Sequence, residues 1–411
     1  MPPHICILTP GQIGSNPRVV KEADALHEAG FRMTVVATRT LDRVESRDQS
    51  LMARIPWQLE RIDLRSRHGW RMRRLPQIAA RRAYEATQWR ALAERSFSPF
   101  TPALVKAATR QPADLYIAHY PAALPAAAAA AQRHGASYAY DAEDFHLGDW
   151  PDSSCFATER KLVREIEAKY LPGCGYVTAA SPGIADAYAE AYGMARPTVV
   201  LNVFPLGQGP GGTTPKGTAE PGPSVYWFSQ TIGPDRGLEC AVRAIGAART
   251  RPHLYLRGTP AAGYSDQLAA LTADVGAAGR VHLLPPAAPE EMERLAAAYD
   301  VGLVSETGYT ASRRACLTNK LFSFLIAGVP PLMSDTPAQR AFGVQAGLLD
   351  QLYPIDDAEA LAALIDSMLG SPERLAAART QAYRLASERY NWGTEMAALV
   401  KVVAAQASLS T

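Results

Sequence analysis

The sequence alternates short β-rich runs with helical stretches, and the alternation restarts after a segment rich in glycine and proline. Such alternation is typical of parallel sheets, because each parallel connection needs a crossover, usually a helix. The first series of predicted strands comprises His4–Leu8, Met33–Ala37, Leu115–Ala118, Ser137–Tyr140, Tyr176–Ala179 and Thr198–Leu201. The second comprises Val225–Phe228, His253–Leu256, Val281–Leu284, Val301–Val304 and Val329–Met333. The pattern predicts an α/β protein with two doubly wound parallel sheets, which bind ligands at the carboxyl ends of their strands.

The boundary between the two series is predicted at residues 206–224, where ten of nineteen residues are glycine or proline. Such a segment carries too little apolar surface to join a core, and is typical of a linker or a surface loop. We therefore predict a first domain at 1–205 and a second at 225–385. A C-terminal helix at 386–411 is expected to pack back on the first domain.

Composition excludes several classes of protein. The formal net charge of +2 gives no global field for nucleic acid. No apolar run approaches the length of a transmembrane helix, and the N-terminus lacks the basic and apolar regions of a signal peptide. The five cysteines are scattered, without a CxxC or a Cys/His cluster, so a zinc site or a disulfide framework is not expected. We expect a cytoplasmic protein with reduced thiols.

A loop with two glycines, Gly11 and Gly14, follows the first predicted strand and precedes a helix that Asn16 and Pro17 open. Backbone N–H groups in this setting bind anions. The spacing is not GxGxxG and no acidic residue closes the second strand, so an NAD-dependent enzyme is disfavoured. We predict that Gly11 and Gly14 line a bound phosphate or sugar; a tight turn is the alternative.

Two cations stand at predicted helix starts in the second series. Lys320 falls in the first turn after Thr318, a predicted N-cap, and Arg236 also lies between a strand and a helix. A cation in that place opposes the helix dipole and weakens the helix unless an anion binds there. A pyrophosphate held by both side chains would remove this conflict. Solvated side chains are the alternative.

Four segments resemble, in order and spacing, motifs of the retaining GT-B-fold glycosyltransferases that build bacterial polysaccharides and lipopolysaccharide. They are NKLFSFLIAGVP at 319–330, SQTIGPDRGLE at 229–239, SNPRVVKEADALHEAGF at 15–31 and YDAED at 140–144. The resemblance implies two Rossmann-like domains that face a cleft, with an acceptor domain first and a nucleotide-sugar domain second. It implies that two cations, Arg236 and Lys320, neutralise the leaving nucleoside diphosphate without a metal ion or other cofactor.

The resemblance also implies a set of donor-binding residues, from which the chain departs at two positions. The set is Gly11, Gly14, Ser229, Arg236, Gly258, Glu306, Thr318, Asn319, Lys320 and Ser323. The family usually has a glutamate at the place of Ser323, where it holds the nucleotide ribose, and a companion acid that falls on Ala315. Ser323 can supply one hydrogen bond but no bidentate contact. Glu306 is a candidate to compensate, and a solvated loop glutamate is the alternative.

Three residues at strand ends of the first series are candidates for the acceptor side. His119 ends a strand, and the resembling enzymes carry a histidine there that contacts the donor sugar. Asp141 and Glu143 also follow a strand, where a carboxylate orients or deprotonates the acceptor hydroxyl. With Arg236 and Lys320, these are the predicted catalytic residues. Helix-start acids and a histidine packed at a strand end are the alternatives, and the departing phosphate can itself accept the proton.

A basic stretch at 61–95 holds ten arginines with interleaved aromatic and aliphatic residues. From Pro76 on, a helical face is predicted to carry Ile78, Ala79, Ala86 and Trp89. Such a segment suits an anionic membrane or a lipid-diphosphate acceptor. A solvated helix with an ordinary core face is the alternative, and RNA binding is less favoured because no RNA-binding motif accompanies the stretch.

The leading prediction is a metal-independent glycosyltransferase that uses a nucleoside-diphosphate sugar with retention. The acceptor is expected to be a glycan or a lipid-linked saccharide, and the protein is expected to be cytoplasmic, with a peripheral association with the inner face of the plasma membrane. Two alternatives stay open. One is a nucleotide-sugar epimerase on the same fold, and the other is an inactive homologue that acts as a binding or scaffold subunit.

Overall fold

A computed structural model of the chain describes residues 2–65, 67–211 and 222–409. The chain forms two compact units. The first comprises Met1–Val200, Thr310–Ser312 and Met396–Thr411, and the second comprises Leu201–Tyr309 and Arg313–Glu395. Most of the predicted linker, residues 212–221, lies outside the described residues.

The first unit contains a parallel sheet of seven strands in the order β3-β2-β1-β4-β5-β6-β7. These strands are β1 His4–Thr9, β2 Arg32–Arg39, β3 Gln58–Asp63, β4 Leu115–His119, β5 Ser137–Ala142, β6 Val177–Ala179 and β7 Thr198–Val199. The central strands β1 and β4 are buried along their whole length, as parallel strands covered on both faces must be. The edge strand β3 was not among the predicted strands, because its sequence QLERID is largely polar.

Eight helices accompany this sheet between residues 17 and 192 of the described part of the chain. They are α1 Pro17–Glu28, α2 Glu45–Met52, α3 Arg67–Thr87, α4 Ala93–Phe97, α5 Thr101–Ala108, α6 Leu124–His134, α7 Ala157–Tyr170 and α8 Pro182–Tyr192. The start of α1 is confirmed as predicted, because Asn16 Oδ1 accepts from the backbone N–H groups of Arg18 and Val19. Gly30, with φ of 93°, follows the end of that helix.

The second unit contains a parallel sheet of six strands in the order β10-β9-β8-β11-β12-β13. They are β8 Ser224–Ile232, β9 His253–Pro260, β10 Val281–Leu284, β11 Val301–Val304, β12 Pro331–Ser334 and β13 Leu352–Tyr353. Its core contains the buried side chains of Trp227, Leu256 and Val301. The prediction of two doubly wound parallel sheets is therefore confirmed, although the two-residue strand β13 was missed.

The remaining helices follow β8 in the chain. They are α9 Leu238–Ala247, α10 Tyr264–Asp274, α11 Met292–Ala296, α12 Ala311–Ala315, α13 Asn319–Ile326, α14 Pro337–Ala346, α15 Ala358–Leu369, α16 Pro372–Glu388 and α17 Trp392–Leu409. The predicted helix at 386–411 is thus two helices that meet near residue 390. Among the described residues, none of the helices is both long enough and apolar enough to cross a membrane.

Candidate functional site

The predicted catalytic histidine of the first unit is fully buried at the end of β4. The Nε2 atom of His119 lies 2.7 Å from Glu22 Oε2, and its Nδ1 atom lies 2.7 Å from Glu143 Oε1. Burial alone would lower the pKa of His119, but the Glu22 charge and the two carboxylate hydrogen bonds raise it to about 10. This arrangement leaves neither ring nitrogen for the sugar contact that the family resemblance implies.

The predicted catalytic aspartate, Asp141, forms a buried ion pair with Arg18. Asp141 accepts from Arg18 at both carboxylate oxygens, with Nε–Oδ2 at 2.5 Å and Nη2–Oδ1 at 2.7 Å, and from Thr178 Oγ1 at 2.6 Å. Burial opposes ionisation, but the Arg18 guanidinium lowers the pKa of Asp141 to about 2. Because Asp141 is buried and its oxygens are occupied, it is poorly suited to receive an acceptor proton.

Glu143 is the one of these three predicted residues whose side chain keeps solvent access, at 12%. Its Oε1 atom accepts from His119 Nδ1 and from Asn16 Nδ2, each at 2.7 Å. The same Asn16 side chain caps α1. The carboxylate is therefore fixed from two sides while its edge faces solvent.

Glu22, His119 and Asp141 lie close enough together for their ligand atoms to share a metal ion. The chemistry of the set does not fit a cation. Arg18 already binds Asp141 through two hydrogen bonds, and His119 is held in its protonated form. The expectation of a metal-independent enzyme stays a prediction.

Two residues beside this cluster were missed in the sequence. Tyr120 follows His119 with a backbone φ of 67°, a conformation that costs energy in a residue with a side chain. Its ring lies 5.3 Å from the ring of His146, whose Nδ1 atom is 2.8 Å from Asp149 Oδ2. Burial lowers the pKa of His146, but Asp149 raises it to about 9. The only available signal was that both residues follow strand ends.

The glycine loop after β1 is tied to α2 by a buried aspartate. The Gly14 N–H donates to Asp48 Oδ1 at 2.8 Å, and Gln12 Nε2 donates to Asp48 Oδ2 at 3.0 Å. A Cβ atom at Gly14 would lie 2.7 Å from the Asp48 carboxylate, which explains the glycine. Since the Gly14 N–H is occupied, the observed role matches the tight-turn alternative; donor contact by Gly11 and Gly14 stays a prediction.

In the second unit, Lys320 lies in the first turn of α13, as predicted, and is buried. Its Nζ atom is 3.3 Å from Glu306 Oε1 and 5.3 Å from the centre of the Trp227 ring. Burial lowers the pKa of Lys320, and the nearby positive charges of Arg236 and Arg313 lower it further, while Glu306 opposes this. Lys320 thus lies beside one carboxylate and within the influence of two further cations.

Arg313 is the member of this group that the sequence did not reveal. Its Nη1 atom lies 3.8 Å from Glu306 Oε2. The signal was a pair of arginines, Arg313 and Arg314, a few residues before Lys320. Cations that lie close together at a buried position are suited to a dianionic ligand such as a diphosphate.

The two residues expected at the ribose make other contacts. Glu306 is buried beside Lys320, and its backbone N–H donates to Ser334 Oγ at 2.7 Å. Ser323 is also buried, and its Oγ atom donates to Glu293 Oε1 at 2.6 Å. Glu293 comes from α11 and carried no recognisable signal in the sequence. The ribose contacts therefore stay predictions.

The remaining predicted donor residues lie at strand and helix ends of the second unit. Gly258 has φ of 152°, and a Cβ atom there would lie 2.4 Å from the carbonyl oxygen of Ser229, so the close approach of β8 and β9 requires glycine. Thr318 precedes α13, and its buried Oγ1 atom has no hydrogen-bond partner among the described residues. Asn319 is exposed. The carbonyl of Arg236 accepts from Ser305 Oγ at 2.6 Å, which fixes that loop.

Comparison with known proteins shows what the chain is similar to. Residues 14–205 match the glycosyl transferase 4-like domain. The chain is similar to HepE of Anabaena, solved with UDP-glucose, at 16% identity and a TM-score of 0.71 over 98% of this chain and 100% of the other. It is similar to sucrose-phosphate synthase of Thermosynechococcus elongatus at 14% identity and a TM-score of 0.72, over 99% and 100%.

A third similar structure is TarM of S. aureus, at 8% identity and a TM-score of 0.67, over 97% of this chain and 99% of the other. Curated protein sequences give no match. The solved structures share their fold with both units of this chain, and the domain match agrees with the sequence resemblance. Residues 14–205 of the chain therefore match a glycosyl transferase 4-like domain, and the chain as a whole has the fold of these solved structures.

Proposed function

We propose that the protein transfers a sugar from a nucleoside-diphosphate donor that its second unit binds. The observation that carries the proposal is the cation group of Lys320 and Arg313 beside the buried Glu306, with the charge of Arg236 acting on Lys320. When the glycosidic bond breaks, negative charge develops on the diphosphate, and fixed cations there stabilise the transition state. That HepE binds UDP-glucose supports a nucleotide-sugar donor.

The finer features follow from the same charges and from the resemblance. Three side-chain cations can supply the charge compensation that a bound divalent ion gives in other enzymes, so the transfer proceeds without a metal. Retention of configuration and a glycan or lipid-linked acceptor are what the family resemblance implies. Stereochemical analysis of the product by NMR tests retention, and turnover that survives a chelator tests metal independence.

Calorimetry with UDP, GDP, dTDP and ADP tests donor binding directly. We expect one nucleotide to bind, and we expect Lys320→Ala and Arg236→Ala each to weaken its binding by at least tenfold. Arg249→Ala is the matched control, because its exposed side chain lies elsewhere in the same unit and contacts Asp366. Binding of none of the four nucleotides, or equal binding by all variants, would refute the proposal.

We also propose that α3 attaches the enzyme to anionic lipid. Its Ala80 and Tyr84 face the protein, whereas Met72, Leu75 and Ile78 are exposed. Trp89, 63% exposed, lies just beyond the helix end rather than on its predicted face. Exposed apolar side chains with arginines between them are suited to the surface of an anionic membrane.

Not every arginine of the predicted basic stretch is available to a membrane. Arg61 lies on β3 and pairs with Glu45 and Asp48. Arg81 pairs with Glu85 and with another glutamate of the same unit. These two arginines are thus paired within the protein, and the exposed Arg82 is a better candidate for lipid contact.

Sedimentation with vesicles of phosphatidylglycerol tests the attachment. We expect binding at low salt that is lost when Leu75→Glu and Ile78→Glu are combined. Val344→Glu is the control, because it places the same charge at an exposed apolar side chain outside this helix. Equal binding by neutral vesicles, or no binding by the unaltered protein at low salt, would contradict it.

A further inference from the structure

We infer that Glu143 is the group of the first unit that touches the acceptor hydroxyl, and that Glu22 and His119 are positioning residues that hold it. The inference rests on the proposed function for the nature of the acceptor, a sugar hydroxyl. Glu143 retains an exposed edge, whereas Asp141 and His119 are buried and fully engaged. Both fixed hydrogen bonds to Glu143 end on Oε1, so Oε2 is the atom for an incoming hydroxyl.

The hydrogen-bond geometry sets the protonation state of the histidine. A carboxylate accepts hydrogen bonds and does not donate them, so a ring nitrogen facing a carboxylate must carry a proton. Because His119 faces Glu22 at one nitrogen and Glu143 at the other, both nitrogens carry a proton whenever both acids are ionised. Burial raises the pKa of Glu22, and the charge of His119 and its hydrogen bond oppose this. A neutral His119 would turn a lone pair toward one of the two carboxylates. Glu143 would then lose its hydrogen bond from His119, or the ring that donates this bond would no longer be held by Glu22.

The other charges around His119 assign this task to Glu22. The cluster contains two cations and three carboxylates: Arg18, His119, Glu22, Asp141 and Glu143. Asp141 Oδ2 lies 3.4 Å from His119 Nδ1, but Arg18 engages both oxygens of Asp141. Two tyrosine hydroxyls also lie near these acids: that of Tyr176 near Glu22 and Asp141, and that of Tyr120 near Glu143 and Asp141. Glu22 is therefore the carboxylate whose charge is matched by His119.

The excess negative charge of the cluster is assigned to Glu143. When all the acids are ionised, three carboxylates against two cations leave one negative charge, and Glu143 is the carboxylate of the three with the most solvent access, at 12%. Asn16 and His119 hold it in a fixed position, so an acceptor hydroxyl can donate to it without reorganisation of the site. Glu143 thus orients the hydroxyl of the acceptor.

A titration of His119 by NMR in the protein without substrates tests the positioning role independently of donor binding. In the unaltered protein, the ring should show no titration between pH 6 and 9. In Glu22→Gln, its pKa should fall by at least one unit, whereas Glu22→Asp should restore most of the difference. Glu85→Gln, at an exposed glutamate of the same unit, is the control and should change nothing. Titration of His119 near 6.5 in the unaltered protein would overturn the inference.

The pH profile of turnover tests the catalytic consequence. Glu22→Gln should lose kcat with a midpoint at the lowered pKa of His119, while the KM for donor and the binding of nucleotide stay unchanged. Glu143→Gln should lower kcat by at least 100-fold with nucleotide binding retained. A merely structural role would lower kcat equally at every pH. If no variant binds nucleotide, the proposed donor site fails, and the NMR titration still decides the role of Glu22.

Discussion

The two units treat buried charge in opposite ways. In the first unit, the buried Arg18 and His119 each lie at hydrogen-bond distance from a carboxylate of the same unit. In the second, Lys320 lies 3.3 Å from Glu306, and burial and the nearby charges of Arg236 and Arg313 lower its pKa. The cations of the first cluster are each hydrogen-bonded to carboxylates, whereas those of the second lie near one another. A closed network is suited to holding a group in place, and an open one to binding an anion.

The largest expected effect is on stability in the first unit. Arg18→Met removes one partner of a buried, doubly hydrogen-bonded pair and leaves Asp141 uncompensated, which should lower the free energy of unfolding by about 3–5 kcal/mol. Lys320→Met is the counterpart in the second unit. Because burial and like charges already disfavour the Lys320 cation, and Glu306 keeps Arg313 as a second partner, its removal should cost less stability than Arg18→Met. Urea unfolding of both variants measures the contrast, and equal losses would refute it.

The second effect is on turnover. Lys320→Met should lower kcat by about 10²- to 10³-fold, because it removes a cation aimed at the charge that develops on the leaving group. Lys320→Arg should recover part of the rate. Steady-state kinetics with the donor identified by calorimetry gives the comparison. A loss confined to the KM for donor would show that Lys320 binds the ground state and the transition state equally.

The third effect is on the pH dependence of stability. His119 has a pKa of about 10 in the folded protein against about 6.5 when unfolded, so folding favours its protonated form. The stabilisation it gives is complete below pH 6.5 and is lost as pH rises toward 10. The difference in unfolding free energy between the unaltered protein and His119→Gln should therefore shrink over that range. A difference that stays constant from pH 6 to 10 would contradict the assignment.

The smallest effect concerns the carboxylate within the cation group. Glu306→Gln removes the acid that competes with a diphosphate for Lys320 and Arg313, so nucleoside diphosphate should bind about tenfold more tightly, or by ~1.4 kcal/mol. Without ligand, the same variant should melt at a lower temperature, because the cations lose their partner. Calorimetry and thermal melts with and without UDP measure both changes. Weaker binding would instead show that Glu306 contacts the donor.

The sequence predicted features that depend on neighbours along the chain. The cap of α1 by Asn16 and the place of Lys320 in the first turn of α13 are local, and both are observed. β3 was missed because a polar edge strand lacks the apolar run that marks a buried one.

Contacts between distant residues were the part that sequence patterns could not supply. Glu22 and His119 are 97 residues apart, and Ser323 and Glu293 are 30 apart. The predictions identified His119 and Ser323 as single groups, but their partners decide whether a ring nitrogen or a hydroxyl is available. The same reasoning applies to Gly14, whose need for glycine comes from Asp48 on another helix.

Asn16 joins two functions in one amide group. Its Oδ1 atom caps the N-terminus of α1, while its Nδ2 atom donates a hydrogen bond to Glu143 Oε1 at 2.7 Å. Aspartate in this position would still cap the start of the helix well, yet its carboxylate would repel the carboxylate of Glu143. Fraying of the first turn would likewise loosen the acid at the neighbouring strand end. The N-cap of one helix thus determines how firmly Glu143 is held.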